Sequence, residues 1–323
     1  MEKKLLLAVD GSERGLQAVS VLGEILKNDK ELQLKLLHCV QQMASLLPGE
    51  LCGEVEETCR LPYDQQEKVG HAVLQESRRR LLEVGFPEER LELKTRLDSM
   101  DPGQDIMAEA TESGIRSIAL GRRGRSTLEG LLIGSVSSKV AQYAKDRTVW
   151  VVDTPVNKTG RVLVALEGGP DSRTLANYAS EFLAPIAGLK YTFLHLMPPV
   201  PPTFWDDGHI LGPREQKDRQ SRIEKWATDW IRSVESFMRE AKDMLLQQGV
   251  LERHIETRVE TTKEGVARDL LNDIASAEYQ IVLMGKKSFH ERKPFLLGSH
   301  ANKILQAVKG AILCLVDSRT NGR

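Results

Sequence analysis

The sequence predicts an α/β protein of two tandem, doubly wound domains, each built on a five-stranded parallel sheet. Three observations lead there. The chain repeats itself, its strands read as apolar runs alternating with amphipathic helices, and its glycine and serine clusters follow strand ends. The repeat comes first because it sets the domain count. LLLAVDGSERG from Leu5 recurs as VLVALEGGPDS from Val162, with Asp10 opposite Glu167 and Gly11 opposite Gly168, 157 residues on. LKLLHCV, ending at Val40, matches YTFLHLM, ending at Met197, and places His38 against His195 at the same spacing of 157. Further along, IALGRRG from Ile118 matches VLMGKKS from Val282, and the spacing becomes 164. That value also relates Gly134-Ser135 to Gly298-Ser299 and Asp153 to Asp317. Two constant spacings with one step between them mean two copies, the second enlarged between its second and fourth strands. The proline-rich MPPVPPTFW, Met197 to Trp205, is the expected place.

Within the first copy the elements follow in order: strand Lys3–Val9, helix Arg14–Leu26, strand Leu32–Val40, a helix from about Tyr63 to Val84, and strand Leu91–Leu97. Helix Gly103–Glu112, strand Ser117–Leu120, a glycine-bearing loop, helix Val136–Lys145 and strand Thr148–Val152 complete it. Continuously apolar strands alternating with helices are the mark of a parallel sheet covered on both faces. The strand TVWVVD ends at Asp153, TPVNKTG forms a turn, and a new first strand begins at Arg161. The boundary is therefore expected near Val156, giving domains 1–156 and 157–323. In the second copy Ile223, Trp226, Trp230, Val234, Phe237, Ala241 and Met244 recur at helical spacing. Such a stripe is ordinarily a core face, with a partner-binding stripe as the sharper alternative.

Composition narrows the functional classes. At 323 residues the chain is long enough for about two domains of ~150 residues. Lys+Arg 45 against Asp+Glu 46 leaves a net charge of -1, which provides no electrostatic footprint for nucleic acid or an anionic membrane. The longest apolar runs, Leu5–Val9 and Ala311–Val316, fall far short of the ~20 residues of a membrane helix. The opening MEKKLLLAVDG stops its apolar stretch at Asp10, too soon for a secretory signal. A cytoplasmic protein is expected. Cys39, Cys52, Cys59 and Cys314 are too irregularly spaced for a disulfide framework or zinc ribbon, and read as reduced thiols.

In a doubly wound sheet, ligands sit beyond the carboxyl ends of the strands where the connections diverge. Asp10-Gly11-Ser12 follows the first strand there, and GRRGRSTLEGLLIGSVSSKV follows the fourth. Gly121, Gly124 and Gly134 allow a backbone to approach a phosphate closely, and a helix N-terminus opening at Ser135 attracts an anion through its unpaired amides. Ser135 and Ser137 offer hydroxyl donors, and Arg122, Arg123 and Arg125 supply positive charge. The Walker A pattern is absent from the chain. The bland alternative is a glycine-bearing connection with an N-capping serine.

With these residues in place, the chain resembles the universal stress proteins in their tandem form, over nearly its whole length. Their nucleotide signature, G-x2-G-x9-G-[ST], is matched by Gly121, Gly124, Gly134 and Ser135. The resemblance implies an adenine-nucleotide alpha hydrolase-like fold and ATP, with or without Mg, as the ligand. It further implies Asp10 at the ribose and Val40 near adenine, with Gly11, Ser12, Arg122, Arg123, Val136 and Ser137 completing the site. Domains of this family pair through their fifth strands, so TVWVVD and AILCLVD are expected to pair within one chain, with a homodimer as a further possibility.

The second copy departs from the signature: Ser288 replaces the second glycine and Glu167 the aspartate. Serine costs about 1–2 kcal/mol where the backbone requires positive φ. Gly298-Ser299 survives, and Lys286, Lys287, Arg292 and Lys293 keep positive charge nearby. About one ATP per chain is expected, in the first domain. EGGPDS from Glu167 also resembles the S-G-G-x-D-S loop of ATP pyrophosphatases, without its leading serine, which reads as shared fold ancestry. His38 and His195 read as structural, and no general base stands out. The resulting expectation is a stress-response protein, a nucleotide-dependent regulator or chaperone-like factor that hydrolyses ATP slowly at most. An enzyme of the same superfold acting on an adenylyl group, and a non-binding interaction protein, are the alternatives.

Overall fold

The computed structural model describes residues 3–41, 62–124, 133–166, 171–200, 204, 212–286 and 297–317. The first half runs β1 (Lys3–Ala8), α1 (Glu13–Leu26), β2 (Leu32–Gln41), α2 (Tyr63–Glu83), β3 (Leu91–Ser99), α3 (Pro102–Glu112), β4 (Ser117–Gly121), α4 (Ser135–Tyr143) and β5 (Thr148–Val152). The second runs β6 (Arg161–Leu166), α5 (Asp171–Tyr178), β7 (Lys190–Met197), α6 (Pro213–Gln247), β8 (Ile255–Thr261), α7 (Val266–Ala277), β9 (Ile281–Gly285), α8 (Ser299–Ala307) and β10 (Ile312–Val316). Leu5, Leu6 and Leu7 are all buried, as a strand covered on both faces requires. Helix α1 starts where the Ser12 hydroxyl accepts the Gly15 amide at 3.1 Å, and α3 where Asp101 caps Gln104 with Pro102 in its first turn.

The strands form one ten-stranded sheet in the order β3-β2-β1-β4-β5-β10-β9-β6-β7-β8. Each half is parallel, and the halves join where β5 meets β10 antiparallel, with Val152 opposite Ile312 and Val149 opposite Leu315. This is the fifth-strand pairing that the resemblance implies. TVWVV and ILCLV are buried at every position, and either strand left at an edge would be a template for aggregation. The edges that remain, β3 and β8, alternate charged residues along their length.

One apolar cluster lies on each face of the sheet, and both run through the β5·β10 junction. Leu5, Leu7 and Val9 share a cluster with Trp150, Cys314, Tyr191 and Met238, while Leu6 shares the other with Val149, Leu313 and Ile304. The halves thus have no core of their own that ends at the junction. An asymmetric contact reinforces it: Trp150 Nε1 donates to the Tyr178 hydroxyl at 2.8 Å, and Ser117 Oγ lies 2.9 Å from the same oxygen. Phe182 stacks on Tyr178 and meets Trp150 edge-on.

The enlargement of the second copy falls between β7 and α6. Buried Val234, Met238, Ala241 and Leu245 of α6 stand 164 residues from buried Gly70, Leu74, Ser77 and Leu81 of α2, whereas β7 keeps the spacing of 157. Of the proline-rich stretch expected there, only 197–200 and 204 are among the described residues. Helix α6 has 35 residues against 21 in α2. The predicted stripe is therefore core only in its C-terminal part. Val234 and Ala241 are buried and Trp230, Phe237 and Met244 pack against them, but Ile223 and Trp226 lie outside the core cluster. Helix α4 ends at Tyr143, two residues before the expected Lys145: Ala144 turns extended at ψ 98°, and its carbonyl, which the helix no longer uses, accepts the Lys286 ammonium of the other half.

Candidate functional site

The connections diverge between β1 and β4, and there the loops following the two strands meet on the carboxylate of Asp10. Gly11 turns the chain out of β1 with φ +74°, a conformation that favours glycine. Asp10 Oδ1 then accepts from the Ser12 amide at 3.0 Å and the Ser12 hydroxyl at 2.7 Å. Two glycines flank the carboxylate. A Cβ on Gly15 would lie 2.5 Å from Oδ1, and one on Gly124 would lie 2.3 Å from Oδ2. Gly15 is a residue of the candidate site that sequence reasoning missed. Its signal was a poor helix former in the first turn of a helix.

The reason for glycine at 124 also needs correcting. Its φ is not in the left-handed region, so the expected backbone strain does not apply. What a side chain there would meet is the Asp10 carboxylate, which would have to shift.

On the far side of the cradle, the Gly134 amide donates to the Arg122 carbonyl at 2.9 Å, and α4 opens from an extended Gly134 with no side-chain cap. The first amides of a helix have no partner within it. Ser135 is exposed at this opening and Val136 packs against the apolar cluster below. Two predicted phosphate donors are turned elsewhere. Ser137 is buried and its hydroxyl donates to the Gly121 carbonyl at 2.7 Å, which ties α4 to the end of β4. Arg122 is also buried, and its guanidinium donates to the carbonyls of Val308 and Gln306 at the end of α8. Burial holds its pKa below the usual arginine value, opposed by Asp153 at 3.9 Å. Arg123 stays in the loop, with a buried Nε that has no hydrogen-bond partner among the described residues. Arg125 lies outside the described residues.

Val40 is buried at the end of β2, beside an irregularity where pairing steps from Cys39↔Arg96 to Gln41↔Ser99 and Asp98 takes φ +52°. His38 and His195 each set Nδ1 against the carbonyl ending the neighbouring first strand, Val9 at 2.7 Å and Leu166 at 2.9 Å. Trp230 donates to His195 Nε2 at 2.9 Å, so Nδ1 carries the proton and gives it to Leu166. These histidines pin strand ends, as the structural reading expects. Burial, the largest cause, and the nearby Asp105 push the Cys39 thiol up to about 12, which leaves it unreactive at neutral pH.

The second cradle repeats the scaffold of the first. The Gly298 amide donates to the Lys286 carbonyl at 2.7 Å, and the Lys286 ammonium crosses to the Ala144 carbonyl, so this predicted phosphate charge is also committed to the other half. Ser172 stands where the first half has Gly15, and it is buried. Glu167, Gly168, Lys287, Ser288, Arg292 and Lys293 lie outside the described residues, as do Cys52 and Cys59. Among the described residues, no helix is long and apolar enough to cross a membrane, and no group of three His, Cys, Asp or Glu side chains is placed to hold a metal ion.

Comparison with known proteins agrees with this architecture. The model of the universal stress protein family matches twice, over residues 1–153 and 158–315. Universal stress protein YxiE of Bacillus subtilis (strain 168) is 29% identical over 147 residues, which cover 45% of this chain and 95% of that protein. A universal stress protein structure from Archaeoglobus fulgidus DSM 4304 superposes with a TM-score of 0.62 at 16% identity, covering 98% of this chain and 99% of that one, a likeness of fold. A universal stress protein solved in complex with cAMP matches 47% of this chain and 96% of its own at 21% identity, with a TM-score of 0.32, too loose a fit to argue from. With two family matches laid end to end on two halves of one sheet, the chain belongs to the universal stress protein family, in tandem form.

Proposed function

We propose that the first half, residues 1–156, holds one ATP, and that the second half, 157–323, is its built-in pairing partner. The ribose is placed on Asp10, with Gly11 and Ser12 shaping the turn beneath it, and the base beyond Val40 at the end of β2. The phosphates lie against Gly121, Arg123, Gly124, Gly134 and Ser135, at the amides that open α4 before Val136. The observation that carries this reading is the pair of glycines, Gly15 and Gly124, closed on one carboxylate beside an uncapped helix start. The orphaned buried Nε of Arg123 supports it, because a cationic donor without an acceptor is costly unless an anion joins it. Arg122 and Ser137 support the loop from behind. A magnesium ion accompanying ATP is assigned to the phosphates. The protein is accordingly read as a cytoplasmic, nucleotide-dependent regulator.

Titration calorimetry of nucleotide-stripped protein tests the reading. The expected result is about one ATP per chain, and a loss of at least a hundredfold in affinity in Gly124→Val, equivalent to ~3 kcal/mol. The thermal midpoint should fall by a few degrees at most, since Gly124 is exposed and the added side chain meets only the Asp10 side chain, not backbone or core. Unchanged affinity in the variant, or two sites of equal strength, would overturn it.

A further inference from the structure

Arg122 and Lys286 hold the same position in the two cradles, and each makes three attachments. The amide bonds the fifth strand of its own half, Arg122 to Val152 at 2.8 Å and Lys286 to Val316 at 2.9 Å. The carbonyl receives the glycine that opens its own cradle helix, Gly134 for α4 and Gly298 for α8. The side chain crosses the junction and donates to the carbonyls that end the other cradle helix, Arg122 to Gln306 and Val308, Lys286 to Ala144. Only 3% of Arg122 and 4% of Lys286 is exposed, so neither cation is a surface ornament. The acidic side is reciprocal too: Asp153 accepts the Gly310 amide at 3.2 Å and Asp317 the Asp146 amide at 3.3 Å.

These attachments close a ring: the Arg122 backbone at the start of α4, the Lys286 side chain at its end, the Lys286 backbone at the start of α8, and the Arg122 side chain at its end. Each helix is nine residues, a rod of about 13 Å. An anion at the start of such a rod and a cation at its end act on the same dipole. We propose that this ring couples the two cradles, so that an anion seated at the start of α4 tightens the Lys286 clamp and, through the Lys286 backbone, alters the cradle of the second half. By linkage the influence runs both ways. The ring is complete without ligand, so it goes beyond the ATP reading, although one arm of its test rests on that reading.

The test is Lys286→Met in the full chain, which removes the clamp without touching any residue of the first cradle. In ligand-free protein, hydrogen exchange should accelerate at both ends of α4, around residues 144–147 and also around 134–138, and Lys286→Arg should restore protection. Acceleration confined to 144–147 would overturn the coupling and leave Lys286 as a local helix cap. Lys286→Gln, which keeps a donor without the charge, is read in parallel in case the methionine variant does not fold. In the second arm ATP affinity should fall roughly fivefold or more in Lys286→Met, and an unchanged affinity would likewise overturn it. Wild-type protein that binds no ATP would defeat the proposed function instead, and the exchange arm would then decide the ring alone.

Discussion

The two halves share a scaffold and differ at the candidate site. Around Asp10 the first half places Gly15 and Gly124, and at the matching sequence positions the second half has Glu167, Ser172 and Ser288. The longer acid and the two added side chains occur together in the second half. What joins the halves is kept in both copies: a buried cation at 122 and 286, an aspartate at 153 and 317, a helix-opening glycine at 134 and 298. The copies have thus kept the residues that pair them, while the residues around the candidate site have diverged.

The strongest way to break that comparison is to convert the second cradle into the first. Glu167→Asp, Ser172→Gly and Ser288→Gly together should create a second ATP site with an affinity gain of about a hundredfold, measured as a stoichiometry rising from about one to two per chain. A ratio that stays at one would show that features other than the carboxylate and its flanks silence the second half.

A second contrast is electrostatic. Glu109 on α3 is buried against Lys35 of β2 at 2.6 Å, while the matching Asp273 draws on Arg258 of β8 at 2.8 Å. Burial alone would raise the pKa of Glu109, but bonds from Lys35 and Ser113 outweigh it and hold the carboxyl below its ordinary value. A depressed folded pKa means that the stabilisation is complete above the unfolded value of about 4.3 and is lost as pH falls through the folded one. Glu109→Gln should therefore cost about 2 kcal/mol at neutral pH, and the difference from wild type should begin to shrink below the unfolded value of about 4.3 and vanish only below the lowered folded one. Urea unfolding at several pH values checks both. A pH-independent difference would assign the cost to packing.

The junction itself is lopsided. Tyr178 and Phe182 of the second half face Trp150 and Ser117 of the first, whereas the matching positions hold Val21, Ile25, Cys314 and Ile281. Tyr178→Phe would leave the Trp150 indole N–H buried without its acceptor, at an expected cost of about 1–2 kcal/mol in thermal or urea unfolding. A neutral result would mean that the aromatic contacts alone hold this side. Tyr191, on the core side of β7, has a buried hydroxyl with no partner among the described residues, where the first half has Leu34. Tyr191→Phe should be the smallest effect, neutral to about 1 kcal/mol stabilising, and a clear loss of stability would reveal a partner for that oxygen.

Much of this was legible in the chain. The repeat spacings and the glycines after β4 carry local or periodic signals and led to the two copies and to the cradle, while the pairing of the apolar fifth strands followed from the resemblance to the family. Gly15 was legible but unread, as a helix-opening glycine whose reason lies in the carboxylate five residues before it. Arg122 and Lys286 were misread as phosphate charges because residue type and spacing do not say which way a long side chain turns.

By itself, then, the sequence determined the two copies, their alternating strands and helices, and the position of the loop that meets Asp10, since hydrophobic periodicity and glycine act over a few residues. Only the tertiary structure decided that Arg122 ends on carbonyls 184 and 186 residues away and that the Lys286 side chain ends on one 142 residues away. The choice depends on burial: once the β5·β10 junction excludes water, a cation there must find an acceptor, and the open end of the opposite helix supplies one.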